Sequence, residues 1–154
     1  MTPHEILSEE MDLIRLELIQ KHIDLGMKAS GQWVDTIEAI TERLSGKILA
    51  QYYTEYIVDG RKPGKFPPRG VIEKWIIDKG IKPLDDKISI SSLAFLIARK
   101  IAREGTEYFK QGGTDLIEAV ITPERIQRII NRVSTFQIDS FTSEIRSVLT
   151  SLAA

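Results

Sequence analysis

The 154-residue sequence has no cysteine, only two histidines and no long run of apolar residues. A chain without cysteine has no disulfide and no thiolate ligand for a metal, and two histidines leave few other ligands for zinc. Charged residues interrupt every apolar stretch before it reaches the length of a membrane span. We therefore expect no disulfide framework, no cysteine-bound metal and no membrane partner.

Glycine and proline are also scarce, at 10 and 6 residues, while 42% of the chain is hydrophobic and 28% is charged. This composition argues against a disordered or collagenous chain. A length of 154 residues fits one core, so we expect residues 1–154 to form a single domain. The first ten residues carry acids where a signal peptide carries basic residues, which predicts a soluble protein made and used in a cytoplasm.

Charge is balanced overall but unevenly distributed along the chain. The total of 21 Lys/Arg against 22 Asp/Glu lacks the strong positive charge of a dedicated nucleic-acid binder. Residues 1–59 carry five basic against eleven acidic residues, whereas residues 61–82 carry seven against two. This asymmetry fits identical subunits that associate head to tail, or a basic segment presented to nucleic acid. Two ordinary solvated faces would give the same counts.

The N-terminal segment has the signals of a helix over residues 1–26. Thr2, Pro3 and Glu5 have the pattern of a capping box with proline at the first helical position. Gly26 stands where a left-handed C-cap belongs. The apolar positions form one broad stripe, which predicts packing against the domain or a neighbouring subunit. Its members are Leu7, Met11, Leu13, Ile14, Leu16, Leu18, Ile23 and Leu25.

A small antiparallel sheet is expected near residues 32–52. Residues 32–42 have the β-branched and aromatic composition of a strand, and residues 48–52 can return as its partner across a turn at Ser45-Gly46. Two strands alone are marginal in water, so several helices must pack on them. The sequence therefore predicts an α+β fold. Residues 53–59 fit either a short helical turn or an irregular crossing.

The middle of the chain alternates irregular and helical segments. Three prolines make residues 60–68 an extended loop, after which a helix opens at Pro68 and stops at Gly80. A linker then leads to a serine cap at Ser89 or Ser91. The helix over residues 93–104 is the most apolar in the chain and is predicted to be the central core helix, ending at Gly105.

Thr122 and Pro123 repeat the cap-plus-proline signal before a long C-terminal helix that reaches Leu152. Its apolar residues show one spacing of five, between Val133 and Ile138. A spacing of five shifts the stripe around the helix, which predicts a break or kink near residues 134–137.

The motifs of enzymes are missing. Residues 60–65 suggest a phosphate-binding loop, but the spacing is one residue short and Phe66 replaces the hydroxyl that binds magnesium. The chain has no nucleophile elbow, and neither His4 nor His22 has a second ligand at helical spacing. We therefore expect no enzyme, no cofactor, and no catalytic, cofactor-binding or metal-binding residue.

The basic segment is interleaved with aromatic residues. Tyr52, Tyr53, Tyr56 and Phe66 accompany Arg61, Lys62 and Lys65. Such a set stacks on bases and grips a phosphate backbone, but tyrosine and arginine are equally enriched in protein interfaces. Composition does not separate these two possibilities.

Two blocks resemble the neck or tail-completion proteins of tailed bacteriophages, most closely the versions carried by crAss-like phages. The first is YIVDGRKPGKFPP at residues 56–68, followed by IEKWI at 72–76 and KGI at 79–81. The second is SSLAFLIARKI at residues 91–101, with Gly105-Thr106 behind it. ASGQW at residues 29–33 resembles the start of the family's first strand. The resemblance covers residues 30–121 as an α+β core, with residues 1–26 as an N-terminal helix and 122–154 as a C-terminal helical extension.

The resemblance implies a structural virion protein without an active site. Such proteins form a homo-oligomeric head-tail connector or tail-completion ring in the neck, meet the portal or adaptor protein and the tail rings, and let DNA pass without sequence-specific binding. It implies localisation in the virion, and in the host cytoplasm during assembly. The subunit or partner interface would consist of Arg61, Lys62, Pro63, Lys65, Phe66 and Arg69.

The resemblance also implies a core built by Trp75, Leu96, Ile97 and Ile101. It leaves open whether the C-terminal helix packs on its own subunit or reaches a neighbour. The alternative function is a nucleic-acid-binding accessory protein that uses the basic loop 60–69.

Overall fold

The computed structural model describes residues 1–153 and contains a two-stranded sheet and several helices. The helices are α1 (Pro3–Asp24), α2 (Gln32–Thr36), α3 (Thr54–Val58), α4 (Arg69–Lys79), α5 (Ile90–Glu104), α6 (Glu107–Lys110) and α7 (Pro123–Ala153). The strands are β1 (Glu38–Thr41) and β2 (Gly46–Leu49). The predicted α+β class with a small antiparallel sheet and long terminal helices is confirmed.

Helix ends lie where the capping residues predict them. The backbone N–H of Thr2 donates to Glu5 Oε2 at 2.6 Å and the N–H of Glu5 donates to Thr2 Oγ1 at 3.2 Å, which is the reciprocal capping box. Ser89 accepts from the N–H of Ser92 at 3.1 Å, so Ser89 and not Ser91 caps α5. Gly80 ends α4 in the left-handed conformation, with φ of +68°.

The hairpin pairs Glu38 with Leu49 and Thr41 with Gly46. The predicted strand over residues 32–42 is wrong in its first half, because Gln32–Thr36 is helical, and β2 ends at Leu49 rather than residue 52. The helical turn buries Trp33, whose indole N–H donates to Thr54 Oγ1 at 3.0 Å. This tertiary contact outweighs the strand preference of the aromatic and β-branched residues. Residues 53–59 contain the short helix α3 (Thr54–Val58), the first of the two predicted alternatives.

The chain divides into two compact units. Unit 1 contains residues 1–18, 38–49 and the described chain from 118 onward, and unit 2 contains residues 19–37 and 50–117. The core of unit 1 contains Ile6, Met11, Ile14, Leu18 and Val120, and that of unit 2 contains Trp33, Ile37, Ile76, Ala94, Ala98 and Leu116. Compact units do not by themselves define independently folding domains, so the single domain over residues 1–154 stays a prediction.

Ion pairs join α1 to α7 within unit 1. Arg125 is only 7% exposed and donates through both terminal nitrogens to the Glu17 carboxylate, with Nη2 at 2.9 Å from Oε1. These hydrogen bonds hold the pKa of Glu17 below its ordinary value. Arg132 likewise donates to Glu10, which is 2% exposed. The first half of α7 is therefore held by carboxylates of α1.

The predicted core of unit 2 is wrong in part. Ala94 and Ala98 are the buried residues of α5, whereas Leu96 is 48% exposed and Trp75 on α4 is 39% exposed. Helices α4 and α5 pack together with Ile76 fully buried, and the small alanine side chains allow a close approach. The spacing of apolar residues predicts that one face of a helix is buried. Where a helix has two apolar faces, the spacing does not predict which of them packs against the neighbouring helix.

Helix α7 is continuous through residues 134–137, so the predicted break there is wrong. The spacing of five rotates the apolar stripe without interrupting the backbone hydrogen bonds. Within residues 1–153, no helix combines the length and the apolar character that crossing a membrane requires.

His22 is a buried titratable residue near the end of α1 and is 3% exposed. Its ring stacks on Trp33 with centroids 4.4 Å apart. Burial lowers the pKa of His22, and the positive charge of Lys79 lowers it further. The fold therefore favours the neutral form of the imidazole.

We expect the folded state to lose stability as the pH falls below about 6.5, the ordinary histidine value. In that range the unfolded chain takes up the proton and the folded chain does not, so the free energy of unfolding falls by up to about 1.4 kcal/mol per pH unit. Urea unfolding between pH 7.5 and 5.0 measures this slope. The variant His22→Phe should reduce it, while His4→Gln should retain it. An equal slope in His22→Phe and the unaltered chain would contradict the assignment.

Candidate protein-interaction surface

The basic loop, residues 60–69, connects α3 to α4 in unit 2. Residues 60–68 have no regular structure, as three prolines predict, and Arg69 is the first residue of α4. All six residues of the predicted interface belong to this loop.

Hydrogen bonds attach the first half of the loop to the segment that joins α5 and α6. The N–H of Arg61 donates to Thr106 Oγ1 at 2.9 Å, and the N–H of Thr106 donates to the Arg61 carbonyl at 3.0 Å. The N–H of Gly64 donates to the carbonyl of Ala102 at 2.8 Å. The backbone of the loop is thus fixed at two points, Arg61 and Gly64, which are three residues apart.

Two glycines make this attachment sterically possible. Gly60 has φ of +80°, and a Cβ there would lie 2.7 Å from Thr106 Oγ1 and would also collide with the backbone N of Phe109. Gly105 has the same φ, and a Cβ would lie 2.8 Å from the Arg61 carbonyl. A side chain at either position would separate the loop from its support.

A second contact supports the entry to the loop. The N–H of Thr114 donates to the carbonyl of Val58 at 2.6 Å, and the hydroxyl of Thr114 donates to the same carbonyl at 3.1 Å. Val58 is the last residue of α3. The residue just before the loop is therefore anchored by hydrogen bonds from Thr114, which follows α6.

The loop presents its basic side chains to solvent. Lys62, Pro63, Lys65, Phe66 and Arg69 are exposed, while Arg61 is half-buried. The Arg61 guanidinium carbon lies 5.7 Å from the centroid of the Tyr56 ring, a cation–π distance.

The charges of the loop are largely uncompensated. Arg69 forms a surface ion pair with Glu73 at 3.7 Å. Among the described residues, Lys62 and Lys65 take part in no ion pair. Both ammonium groups are available to an acidic partner.

An apolar centre adjoins these charges. Phe66 stacks on Phe95 of α5 with centroids 6.1 Å apart and planes inclined by 25°, yet the two rings remain 55% and 44% exposed. Phe95 also lines an open groove of about 470 Å³. The groove is lined by Arg69, Lys87, Ile88, Ser91, Ser92, Phe95 and Leu96. The loop and the groove together form what we call the loop–groove surface.

The sequence reasoning missed Phe95, Leu96 and Lys87 as surface residues of this site. Both apolar residues lie in the most apolar helix, and Leu96 was expected in the core. Their exposure follows from the packing of α5 through Ala94 and Ala98, which no local pattern reveals. Of the aromatic set, Tyr56 and Phe66 accompany the loop, while Tyr52 is 90% exposed and contacts the Tyr53 ring edge to face at 5.5 Å.

The surface has the chemistry of a binding face. An exposed apolar centre with a basic rim is typical of protein interfaces, and exposed lysines also bind phosphate groups. Within residues 1–153 no group of three or more His, Cys, Asp and Glu side chains is placed to hold a metal ion.

Comparisons with protein-family models, with curated proteins and with solved structures find no match to this chain. The resemblance to phage neck proteins therefore stays a prediction.

The variant Gly60→Ala should destabilise the chain by at least about 2 kcal/mol, because alanine disfavours positive φ and its methyl group meets backbone atoms. Gly70→Ala is the matched control: Gly70 lies in α4 with open space around the position of a Cβ, so alanine should be neutral or stabilising. Urea unfolding of both variants measures the difference. Equal stability of the two variants would show that the attachment at Gly60 is not required.

Proposed function

We propose that this chain is a structural subunit of the neck of a tailed bacteriophage, forming a head-tail connector or tail-completion ring between portal and tail. The order of motifs in residues 30–121 supports the proposal. The observation that carries it is the loop–groove surface, an exposed basic and aromatic face whose backbone is fixed by its own chain. In this role the chain binds neighbours and catalyses nothing.

A fixed loop suits repeated subunit contacts. The hydrogen bonds of Arg61, Gly64 and Thr106, together with three prolines in residues 60–68, hold the loop before any partner arrives. Little conformational entropy is then lost on docking, so more of the interaction energy remains as affinity.

The chain carries a complementary charge for a head-to-tail contact between copies. Residues 1–59 have six more acidic than basic residues, whereas residues 61–82 have five more basic than acidic residues. A ring needs a heterologous interface, in which one patch meets a different patch of the next copy. On this proposal, the loop–groove surface of one subunit contacts acidic residues from the first 59 positions of its neighbour.

Light scattering and negative-stain imaging of the full chain, with and without the portal assembly, test the proposal. Rings or portal-dependent stacking are the expected result. A double variant, Lys62→Glu with Lys65→Glu, should weaken association at least tenfold, because it places acids opposite the acidic half of the neighbour.

A matched double variant separates local contact from net charge. Lys28→Glu with Arg43→Glu changes the net charge by the same amount but lies within the acidic half of the chain. We expect it to leave association unchanged or to strengthen it. Equal weakening in both double variants would contradict a contact through the loop.

The alternative of a nucleic-acid-binding accessory protein has a distinct outcome. A monomer that ignores the portal but binds plain duplex DNA, with an affinity that falls steeply as salt increases, would contradict the neck role. Loss of that binding in the variant of Lys62 and Lys65 would then assign the DNA contact to the loop.

A further inference from the structure

The last part of α7, residues 137–153, forms what we call the C-terminal arm. Every residue of the arm is exposed, in contrast to Arg125 near the start of the same helix. The arm nevertheless carries large apolar side chains, which are 46–78% exposed. These residues are Ile138, Phe141, Ile145, Val148, Leu149 and Leu152. An exposed apolar face of this kind marks a site of interaction with another molecule.

The spacing of the apolar residues indicates what covers them. Ile138, Phe141, Ile145, Val148 and Leu152 follow one another at intervals of three, four, three and four. This is the a and d pattern of a heptad repeat, in which each side chain inserts between four residues of a facing helix. Leu149 lies next to Val148 at an e position and widens the stripe. The geometry points to a helix as the occupant of this face.

The charge of the arm permits an identical helix to approach. Only Asp139, Glu144 and Arg146 are charged in residues 137–153, and none of them lies at an a or d position. Two copies of the arm therefore bring no like charges into the seam between them, and their a and d residues are chemically alike.

The exposed apolar area is also sufficient for self-association. The six apolar residues together expose roughly 700 Å² of residue surface in each copy, which is of the same order as the ~800 Å² per partner that a standard interface buries. We propose that the C-terminal arm packs against the arm of a second copy of this chain as a helical pair or bundle. The proposal rests on the arm alone and does not depend on the neck role or on the loop–groove surface.

Cross-linking of the full chain tests the proposal directly, because the natural sequence contains no cysteine. Ile145→Cys places a thiol in the seam, and Ser143→Cys places one on the opposite face of the same helix at an f position. A short bismaleimide should join copies of Ile145→Cys at least tenfold faster than copies of Ser143→Cys. Equal rates in the two variants would overturn the proposal.

Sedimentation provides the second measurement. Ile145→Asp places a charge in the seam and should raise the dissociation constant of the oligomer at least tenfold, whereas Ser143→Asp adds the same charge outside it and should not. Circular dichroism of both variants checks that the helix still forms. At about 200 μM, a helix pair with a dissociation constant in the micromolar range is almost fully associated. If the unaltered chain is still monomeric at this concentration, the proposal is overturned.

The same cross-link separates this proposal from the proposed function. In the background of Lys62→Glu with Lys65→Glu, contacts through the basic loop are weakened while the arm is unchanged. Retention of the Ile145→Cys cross-link in this background is the expected result. Its loss would show that the arms meet only as a consequence of the loop contact, and would overturn an interaction carried by the arm alone.

Discussion

The constraint on which the loop–groove surface depends is the pair of hydrogen bonds that Arg61 and Thr106 exchange across 45 residues of sequence. They form only because Gly60 and Gly105 bring two backbones closer than side chains permit. With this contact in place, the loop also contacts α5, through the hydrogen bond from Gly64 to Ala102 and the stacking of Phe66 on Phe95, while its lysines stay exposed. The lysines point to solvent for the same reason that Phe66 meets Phe95: both follow from where the backbone is held.

Helix α7 shows the opposite arrangement within unit 1. Its first half is fixed by side chains, since the buried guanidinium of Arg125 needs the Glu17 carboxylate to compensate its lost hydration. Its second half has an apolar face that no residue of the described chain covers. A single continuous helix thus contains a segment that is held within unit 1 and a segment whose apolar face is exposed.

Much of the local structure is predicted by residues that lie a few positions apart in the sequence. The capping box of Thr2 and Glu5, the serine cap at Ser89, the left-handed glycine at Gly80 and the proline loop at residues 60–68 lie where their patterns predict. The sequence predicts the candidate site only in part. Its basic residues are neighbours in the sequence, whereas Phe95 and Lys87 are distant in the sequence and come next to Arg69 only in the folded chain. The helical turn at Gln32–Thr36 escapes prediction because its cause, the burial of Trp33 beside Thr54, lies 21 residues away.

The α+β class, the ends of the long helices, the irregular basic loop and the heptad spacing of the C-terminal arm all follow from residues that are close together in the sequence. Each of these depends on backbone preferences or periodicities that act within one or two helical turns. Tertiary structure alone decided which face of α5 is buried, that Leu96 and Trp75 remain exposed, and that the loop is fixed beside α6. Burial depends on which surfaces meet: α4 and α5 pack on each other, and the residues of α5 that the fold buries are the small Ala94 and Ala98 rather than the larger apolar side chains.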